Sequence, residues 1–545
     1  MKKKFTFLII GLIAAAAAAA IYYTGFIKSA ASAREINVTR KKVVLTSHLS
    51  GVAMKAKIVT YKNDNKTLYK TTYYTYGKNP LPMWTEVKYL PENRPINPAA
   101  SGNWTIFNKF RNHNSILNLN FPAVSWKYKQ YDAISLKGLF PSVDVLGKTR
   151  GAVMFTQFVG DSVGVSYYNG IVYIPSNNDM LYAVNAKTGK LIWRATTAGS
   201  VMSVPLAVNG VVYITIGNAA FSGANGPFAI LTHNLKNIRR GDGYGGVYAF
   251  SAYSGKLLWV RFTAGEVMPT ALYINNMLIF ANGSGRIYAL NAKSGKIIWK
   301  KYMGISSFTS MSSTNYYTMP DKRVIGIVGT TLVKQPFGKL VAFNIKNGKT
   351  AWQAVLPKEY KPFNTGMGDV SPAVDQKHNL VIQDTIVNFN RKTRMLNSAI
   401  VAVKASTGRV KWVDLLGKGY VPPAFKGGVP VIHDGRIYVG SPVTSKIYAI
   451  NEFTGKVLWS SKIPTVSVPP KTAGGGRGNP VIYGNKLILA AGAYIFTYNA
   501  NTGKLLKRYY TGGRFGLVNP VIVGKTVFVS NSYNYTFAIP LKKLL

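Results

Sequence analysis

The chain has 545 residues, with 67 lysines and arginines against 18 aspartates and glutamates, a formal charge of +49 and no cysteine. The missing cysteines exclude disulfides, thiolate metal sites and thiol catalysis. The bases are spread along the chain and the deficit of acids is the more unusual feature. This favours work in strong acid, where native carboxylate pairs lose their stabilising effect; an anionic small-molecule partner is compatible with it, and nucleic-acid binding is the least favoured explanation.

Residues 1–33 are predicted to be a targeting segment. Three lysines at 2–4 precede an uncharged, largely apolar stretch at 5–27, and an A-x-A sequence stands at 31–33. The apolar stretch would nearly span a bilayer, which takes about 20 residues. A membrane anchor that is not cleaved is therefore the alternative to a cleaved signal peptide. Both readings predict an extracytoplasmic location for the rest of the chain.

Residues 34–100 are rich in lysine, tyrosine and threonine and have no strong period. They are expected to form an N-terminal extension, either loosely attached or a small β structure.

Seven segments then repeat one pattern: an alternating strand, a polar residue, a T/S/N-G turn and a second strand. The segments lie at 181–193, 247–259, 287–299, 340–352, 400–412, 447–459 and 495–507, and the first six end in Trp. Alternation with period two is typical of a strand with one buried face, and the glycine supplies the positive φ of a hairpin turn. The tryptophans are predicted to pack between neighbouring units.

A second hairpin precedes each unit, as in PLAVNGVVYI (205–214) and PVIHDGRIYV (430–439). Four strands per repeat predict an all-β fold, an eight-bladed β-propeller over residues 101–545. The last blade lacks a fourth strand at the C terminus. The unclaimed strand at 121–129, with Trp126 in the repeat position, is predicted to pair with the last blade and close the ring, which removes an open edge.

The repeat A-x-[ND]-A-x-T-G-K-x-x-W resembles the quinoprotein-type propeller repeat, and SGNWTIFNKFRNHN (101–114) resembles the opening segment of that superfamily. Its members include dehydrogenases that use pyrroloquinoline quinone (PQQ), outer-membrane assembly scaffolds and the tetrathionate hydrolases of acidophiles. The length, the export signal, the scarcity of acids and the absence of cysteine are most similar to the tetrathionate hydrolases. This resemblance implies hydrolysis of tetrathionate, a small anionic sulfur compound, to thiosulfate, sulfur and sulfate, with no cofactor and no metal.

The loops that lead into the inner strand of each blade are expected to line a funnel. They are rich in glycine, which permits tight turns at a crowded centre, but turning alone does not explain why the scarce acids Asp161, Glu266 and Asp369 occur there. Asp369, in GMGDVSP, is predicted to be the catalytic carboxylate, in agreement with the resemblance, with Glu266 and Asp161 in reserve.

Arg477 and Arg514 stand in two later loops of the same kind. Arginine binds oxyanions through two hydrogen bonds and lowers the pKa of a nearby carboxylate. We expect these two arginines to hold the anionic ends of the substrate, with Met268 and Asn479 completing the binding site. Solvated surface charge is the alternative explanation for each arginine, and apolar lining for the methionine.

Two other functions remain open at this stage. A non-catalytic cell-surface scaffold would use the propeller as a platform, and a dehydrogenase would need PQQ and Ca²⁺. The dehydrogenases usually carry an adjacent cysteine pair, which this chain lacks. The long insertion at 217–246 is expected either to cover the funnel or to form a homodimer contact.

Overall fold

The computed structural model describes residues 38–39, 54–63, 66–75, 82–90, 102–130, 164–176, 180–197, 201–217, 244–303, 312–331, 338–361, 367–368, 370–420, 427–464, 476–515, 518–531 and 535–545. The predicted targeting segment, Asp161, Asp369 and most of the 217–246 insertion lie outside these residues. No helix in the described part of the chain has the length and hydropathy needed to cross a membrane.

The chain forms two compact units, one of residues 1–46 and 53–93 and the other of residues 47–52 and 94–545. In the first unit four antiparallel strands form one sheet in the order of the sequence. They are β1 (Val38–Thr39), β2 (Met54–Asn63), β3 (Lys66–Thr75) and β4 (Pro82–Leu90). The extension expected at 34–100 thus contains a β-sheet of its own.

The second unit is a ring of eight antiparallel blades, as the repeat predicts. Two short strands precede the ring, β5 (Ile116–Leu117) and β6 (Trp126–Lys129). Blade 1 contains β7 (Ser166–Tyr168), β8 (Ile171–Ser176), β9 (Met180–Asn185) and β10 (Leu191–Thr196). Blade 2 contains β11 (Leu206–Val208), β12 (Val211–Ile216), β13 (Tyr244–Ser251) and β14 (Leu257–Ala264). Blade 3 contains β15 (Leu272–Ile274), β16 (Met277–Ala281), β17 (Arg286–Asn291) and β18 (Ile297–Tyr302). Blade 4 contains β19 (Asn315–Thr318), β20 (Val324–Thr331), β21 (Gly338–Asn344) and β22 (Thr350–Ala354).

Blades 5 to 8 continue the series. Blade 5 contains β23 (Ala373–Asp375), β24 (Leu380–Asn390), β25 (Met395–Lys404) and β26 (Val410–Tyr420). Blade 6 contains β27 (Val431–His433), β28 (Arg436–Ser441), β29 (Lys446–Asn451) and β30 (Val457–Lys462). Blade 7 contains β31 (Val481–Tyr483), β32 (Lys486–Asn499) and β33 (Leu505–Phe515), with its second and third strands continuous in β32. Blade 8 contains β34 (Val521–Val523), β35 (Thr526–Ser530) and β36 (Tyr535–Pro540), and a 3-10 helix (Leu541–Lys543) follows.

Each repeat tryptophan stacks on the turn glycine of the next blade. Gly255 has φ 68°, and a Cβ added to it would lie 2.6 Å from the ring of Trp193. The Trp193 indole N–H also donates to the Ala252 carbonyl at 2.9 Å. The glycine is needed because it leaves room for the ring and adopts a backbone that other residues rarely adopt. The same stacking joins Trp259 to Gly295, Trp299 to Gly348, Trp352 to Gly408, Trp412 to Gly455 and Trp459 to Gly503.

The predicted closure of the ring is confirmed. Strand β6 pairs antiparallel with β36, with Trp126 opposite Ala538. Trp126 then stacks on Gly189 of blade 1, where an added Cβ would lie 2.7 Å from the indole. One segment thus supplies both the fourth strand of blade 8 and the tryptophan of the last interface, which leaves the sheet edge covered.

Residues 104–117, called the axial segment below, run past the inner strands of successive blades. The N–H groups of the inner strands donate to this segment. The bonds are Ala207 N to Trp104 O (3.2 Å), Tyr273 N to Thr105 O (2.7 Å), Val374 N to Arg111 O (2.9 Å), Ile432 N to Asn112 O (3.0 Å) and Ile522 N to Ser115 O (3.0 Å), with Ile482 N to Asn114 Oδ1 (2.9 Å). Inner strands would otherwise present unpaired N–H groups to the axis. The axial segment therefore satisfies these groups in six blades and ties the blades to one another.

His113 lies within the axial segment and is 1% exposed. Its Nδ1 is 3.0 Å from the Pro430 carbonyl oxygen, and its ring meets Phe107 edge to face at 5.2 Å. Burial lowers the pKa of this imidazole to about 4.

Candidate functional site

The lead-in loops join the outer strand of one blade to the inner strand of the next, and hydrogen bonds tie them together around the axis. Gly164, which leads into blade 1, lies between the loops of blades 2 and 8: a Cβ added to it would lie 3.3 Å from Val204 and 3.5 Å from Asn519. The lead-in loops therefore form a closed ring, called the belt below. The bonds run from Val204 N to Thr270 Oγ1 (2.8 Å), Thr270 N to Ser313 Oγ (3.0 Å), Ser313 N to Ser371 Oγ (3.0 Å) and Asn479 N to Asn519 Oδ1 (3.1 Å).

The loop that carries Asp369 is held on both sides of that residue. Asp369 itself lies outside the described residues. Gln383, which is fully buried on β24, donates to the carbonyls that flank the aspartate. A separate backbone bond comes from blade 4. The bonds are Gln383 Nε2 to Met367 O (3.3 Å), Gln383 Nε2 to Val370 O (3.1 Å) and Ser312 N to Gly368 O (2.8 Å).

Asp384, the next residue of β24, is a carboxyl buried at 0% exposure. Its Oδ2 accepts a hydrogen bond from Gly428 N at 2.7 Å, and its Oδ1 has no hydrogen-bond partner among the described residues. A Cβ added to Gly427 would lie 2.9 Å from the carboxyl, so only glycine fits against it. Burial raises the pKa of Asp384 well above its usual value. Burial therefore favours the neutral form of this carboxyl, which holds the lead-in loop of blade 6.

Glycines allow the lead-in loop of blade 7 to pack closely against the lead-in loop of blade 6. A Cβ added to Gly428 would collide with the Gly440 carbonyl, and one added to Gly440 with the backbone of Gly476. These three backbones therefore pack directly on one another, and Arg477 follows. Arg477 is 7% exposed, so its charge is largely removed from water.

The structure distributes the other predicted site residues around the belt. Glu266 is buried at 1% exposure in the lead-in loop of blade 3. Met268, in the same loop, packs against Met202 in the apolar manner expected for a lining residue. Arg514 belongs to strand β33. Asp161 lies outside the described residues.

Asn479 contacts the axial segment. Its Nδ2 donates to the His113 carbonyl at 3.1 Å, and its Oδ1 accepts from Asn108 Nδ2 at 2.9 Å. Asn519 Nδ2 donates to Asn108 Oδ1 at 2.9 Å, which extends the network to blade 8. These bonds give Asn479 a part in positioning the axial segment; binding of substrate by this residue stays a prediction.

The sequence did not predict Asp384 and Gln383 as site residues, because both lie on a strand and the predicted site residues came from the loops. One signal was available: Asp384 is an acid in the apolar strand sequence LVIQDTIVN of a chain with 18 acids. A carboxyl at such a position is expensive to bury unless it is neutral and hydrogen-bonded. In blades 5 to 7, contacts thus link the loop on either side of Asp369 to β24, β24 to the lead-in loop of blade 6, and that loop to the backbone next to Arg477.

A family model agrees with the repeat. The family model described as outer membrane protein assembly factor BamB matches residues 142–237, 234–414 and 396–542. Among solved structures, BamB from Moraxella catarrhalis is 15% identical, covers 70% of this chain and 97% of its own, and has a TM-score of 0.47.

Two relatives match over nearly the whole length. The tetrathionate hydrolase of Acidithiobacillus ferrooxidans is 37% identical over 471 residues, which are 83% of this chain and 89% of the relative. The tetrathionate hydrolase of Acidianus ambivalens is 35% identical over 490 residues, which are 87% of this chain and 90% of the relative.

Proposed function

Because the chain belongs to the tetrathionate hydrolase family, we propose that it hydrolyses tetrathionate in an acidic, extracytoplasmic environment. The observation that carries the proposal is identity of 35–37% to two tetrathionate hydrolases over more than four fifths of the chain. The substrate is a small sulfur compound with a sulfonate at each end. The reaction requires water and no cofactor.

In the proposed reaction, water attacks one of the two central sulfurs that carry a sulfonate. An oxygen–sulfur bond forms, the central sulfur–sulfur bond breaks, and thiosulfate leaves with its electron pair. Asp369 takes the proton that the water loses. A second water attacks the sulfonate sulfur of the remaining fragment, HO–S–SO₃⁻, so that an oxygen–sulfur bond forms and the sulfur–sulfur bond breaks. Hydrogen sulfate and HSOH result, and HSOH loses water to leave sulfur. One tetrathionate and one water thus yield thiosulfate, sulfur, sulfate and two protons.

The geometry of the blade 5–7 sector supports these roles. Gln383 donates to the carbonyls of Met367 and Val370, which precede and follow Asp369 in the sequence. Anchoring of this kind suits a loop that carries a general base, because a base must be placed accurately. Arg477 is largely desolvated, which strengthens its attraction for a sulfonate relative to an arginine in water. Arg514 would bind the opposite sulfonate. Both cations would also lower the pKa of Asp369, and a base that works in acid needs this.

The acidic location is supported by composition and by the N-terminal segment. The chain has 18 acids against 67 bases, so few carboxylate pairs would be lost by protonation at low pH. The apolar stretch at 5–27 after three lysines has the pattern of an export signal or anchor.

The test is to incubate the purified chain with tetrathionate between about pH 1 and pH 3, without added cofactor, and to follow thiosulfate release. We expect turnover in the wild type and a loss of about 100-fold or more in Asp369→Asn, since general-base catalysis contributes about 10²–10⁴. Glu266→Gln and Asp161→Asn serve as matched carboxylate controls.

Three outcomes distinguish the parts of the proposal. Turnover that survives in Asp369→Asn and is lost in a control variant would move the base to that residue. Turnover that requires PQQ and Ca²⁺ would overturn the cofactor-free hydrolysis. Folded protein without turnover at any pH would contradict the proposed activity itself.

A further inference from the structure

A glutamate is buried in blade 6 at a repeat position that small or aliphatic residues occupy in the other blades. Glu452 follows Asn451 in the turn between β29 and β30, and it is 0% exposed. Its backbone oxygen accepts the Trp412 indole N–H at 3.2 Å, as the repeat requires. The residues that accept the corresponding indole in other blades are Ala186, Ala252, Ala292, Ile345, Ala405 and Ala500. The glutamate side chain is therefore additional to what the blade interface needs.

Glu452 faces the first hairpin of blade 5, between β23 and β24. Asp375 is fixed there because its Oδ1 accepts from Lys377 N at 2.7 Å and from His378 N at 3.1 Å. Its Oδ2 lies 2.6 Å from His378 Nδ1. The imidazole is held from the other side by Phe453, which it meets edge to face at 5.0 Å.

These three side chains converge. One oxygen from each carboxyl and one imidazole nitrogen all lie within 4.8 Å of one another. Neither Glu452 oxygen has an N–H or O–H hydrogen-bond donor among the described residues. A fully buried carboxyl that faces a second carboxylate and has no such donor is stabilised by a metal cation or by a proton between the two groups.

We propose that Asp375, His378 and Glu452 form a divalent metal site between blades 5 and 6, at the hairpin-turn end of the ring, away from the lead-in loops. One imidazole and two carboxylates suit borderline transition metals such as Zn²⁺ or Co²⁺ better than Mg²⁺, which prefers oxygen ligands. The side chains of His378 and Asp375 are 36% and 15% exposed. Solvent therefore reaches the site, provides a path for the ion and completes its coordination.

Hydrogen bonds to the backbone fix the positions of two of the proposed ligands. The backbone of Glu452 is fixed at both ends, because its N–H donates to the Gly435 carbonyl at 3.0 Å and its carbonyl accepts from Trp412. Asp375 is oriented by two backbone N–H groups. Such outer contacts are the usual support of metal ligands. A bound ion would join the blade that follows the Asp369 loop to its neighbour and would stabilise the fold by mass action.

The competing occupant is a proton. Burial, followed by the neighbouring Asp375, raises the pKa of Glu452 to about 8. Metal binding must displace that proton, so affinity falls as the pH is lowered. Metal binding is therefore to be measured near pH 7, where protons compete for the site less strongly than in acid.

The experiment is calorimetric titration of the untagged, EDTA-treated chain with Zn²⁺ near pH 7, in a buffer that does not bind zinc. We expect saturable binding of one ion, with Mg²⁺ at least about tenfold weaker. Glu452→Ala installs the residue that five other blades carry and should keep the fold. It should bind Zn²⁺ at least about tenfold more weakly, as should His378→Ala, since loss of one ligand or its support typically costs about 10–100-fold.

Asp321→Ala is the matched control, because Asp321 lies on the first hairpin of blade 4 and pairs with Arg323 at 2.6 Å. It should bind Zn²⁺ within about twofold of wild type, and Zn²⁺ should raise the Tm of wild type and control but not of Glu452→Ala. Folded wild type without saturable binding or a Zn²⁺-dependent Tm shift would overturn the proposal and leave the proton as occupant. Equal binding by wild type and Glu452→Ala would overturn it as well.

Discussion

Replacing Asp384 by asparagine should change how the stability of the protein depends on pH. The native carboxyl has its pKa raised by burial, whereas in the unfolded chain it titrates near its usual value of about 3.9. The native state therefore holds a proton that the unfolded state releases above about pH 4. The stability from this group is fully present below that pH and is lost as the pH rises, at up to about 1.4 kcal/mol per pH unit. Asp384→Asn should not show this loss of stability as the pH rises.

Asparagine keeps an oxygen to accept from Gly428 N–H and has no titrating proton, so the variant isolates the ionisation. The free energy of unfolding is to be measured by urea denaturation at pH 3, 4, 5 and 6 for wild type, Asp384→Asn and the exposed control Asp321→Asn. The control should follow wild type closely and deviate, if at all, in the opposite direction, because Arg323 lowers the pKa of Asp321. Parallel curves for wild type and Asp384→Asn across this range would refute the raised pKa of Asp384.

Three further predictions concern the ring, the axial segment and the catalytic loop. Gly455→Ala, where a Cβ would lie 2.6 Å from the Trp412 ring, should cost at least about 2 kcal/mol in urea denaturation, while Gly484→Ala, with open space around it, should cost about 1 kcal/mol for its positive φ alone. His113, whose pKa is lowered to about 4, stabilises the fold above about pH 6.5 and loses this contribution as the pH falls towards 4; His113→Gln should therefore lose roughly 3 kcal/mol less over that interval, and equal losses would contradict the depressed pKa. Gln383→Leu should lower kcat for tetrathionate about tenfold or more with a smaller change in KM, because a displaced base slows the chemical step; a variant whose kcat is unchanged would show that these hydrogen bonds do not position the base.

The propeller could be predicted from the sequence because its determinants recur. Among the described residues, the tryptophan–glycine contact is made by residues at fixed repeat positions in seven of the eight blade interfaces, as in Trp193 and Gly255. A contact that recurs reveals both the unit and the way units pack. Even the closure of the ring followed the pattern, since Trp126 carries the repeat residue on a strand far from the last blade in sequence.

The axial segment and the anchors of the candidate site do not recur, and the sequence did not reveal them. The axial segment binds chiefly through backbone groups, which leave no mark on residue type. Gln383 and Asp384 act through contacts with single loops of blades 5 and 6, so no other blade repeats them. Glu452 could have been noticed, because the aligned repeats place alanine or isoleucine at its position. A metal site could not be inferred from Glu452 alone, because Asp375 is distant from it in sequence and adjacent to it only in the folded ring.

The opposite shifts of His113 and Asp384 lead to a test of the acidic environment itself. Between about pH 4 and 6.5, acidification costs stability at His113 and adds it at Asp384, so the two effects oppose each other. Below about pH 3 both groups are protonated in the native and in the unfolded chain, and neither contributes a further pH dependence. Only carboxyls with a lowered pKa, such as Asp321, still lose stability there.

Because the chain has 18 acids in all, we expect the free energy of unfolding to change by less than about 2 kcal/mol between pH 3 and pH 1.5. Urea denaturation of the wild type at these two pH values measures the change directly. A loss of several kcal/mol would mean that many carboxylates are paired in the native state. It would remove the physical reason for connecting the scarcity of acids with work in strong acid, and attraction of an anionic substrate would then be the better explanation of the charge.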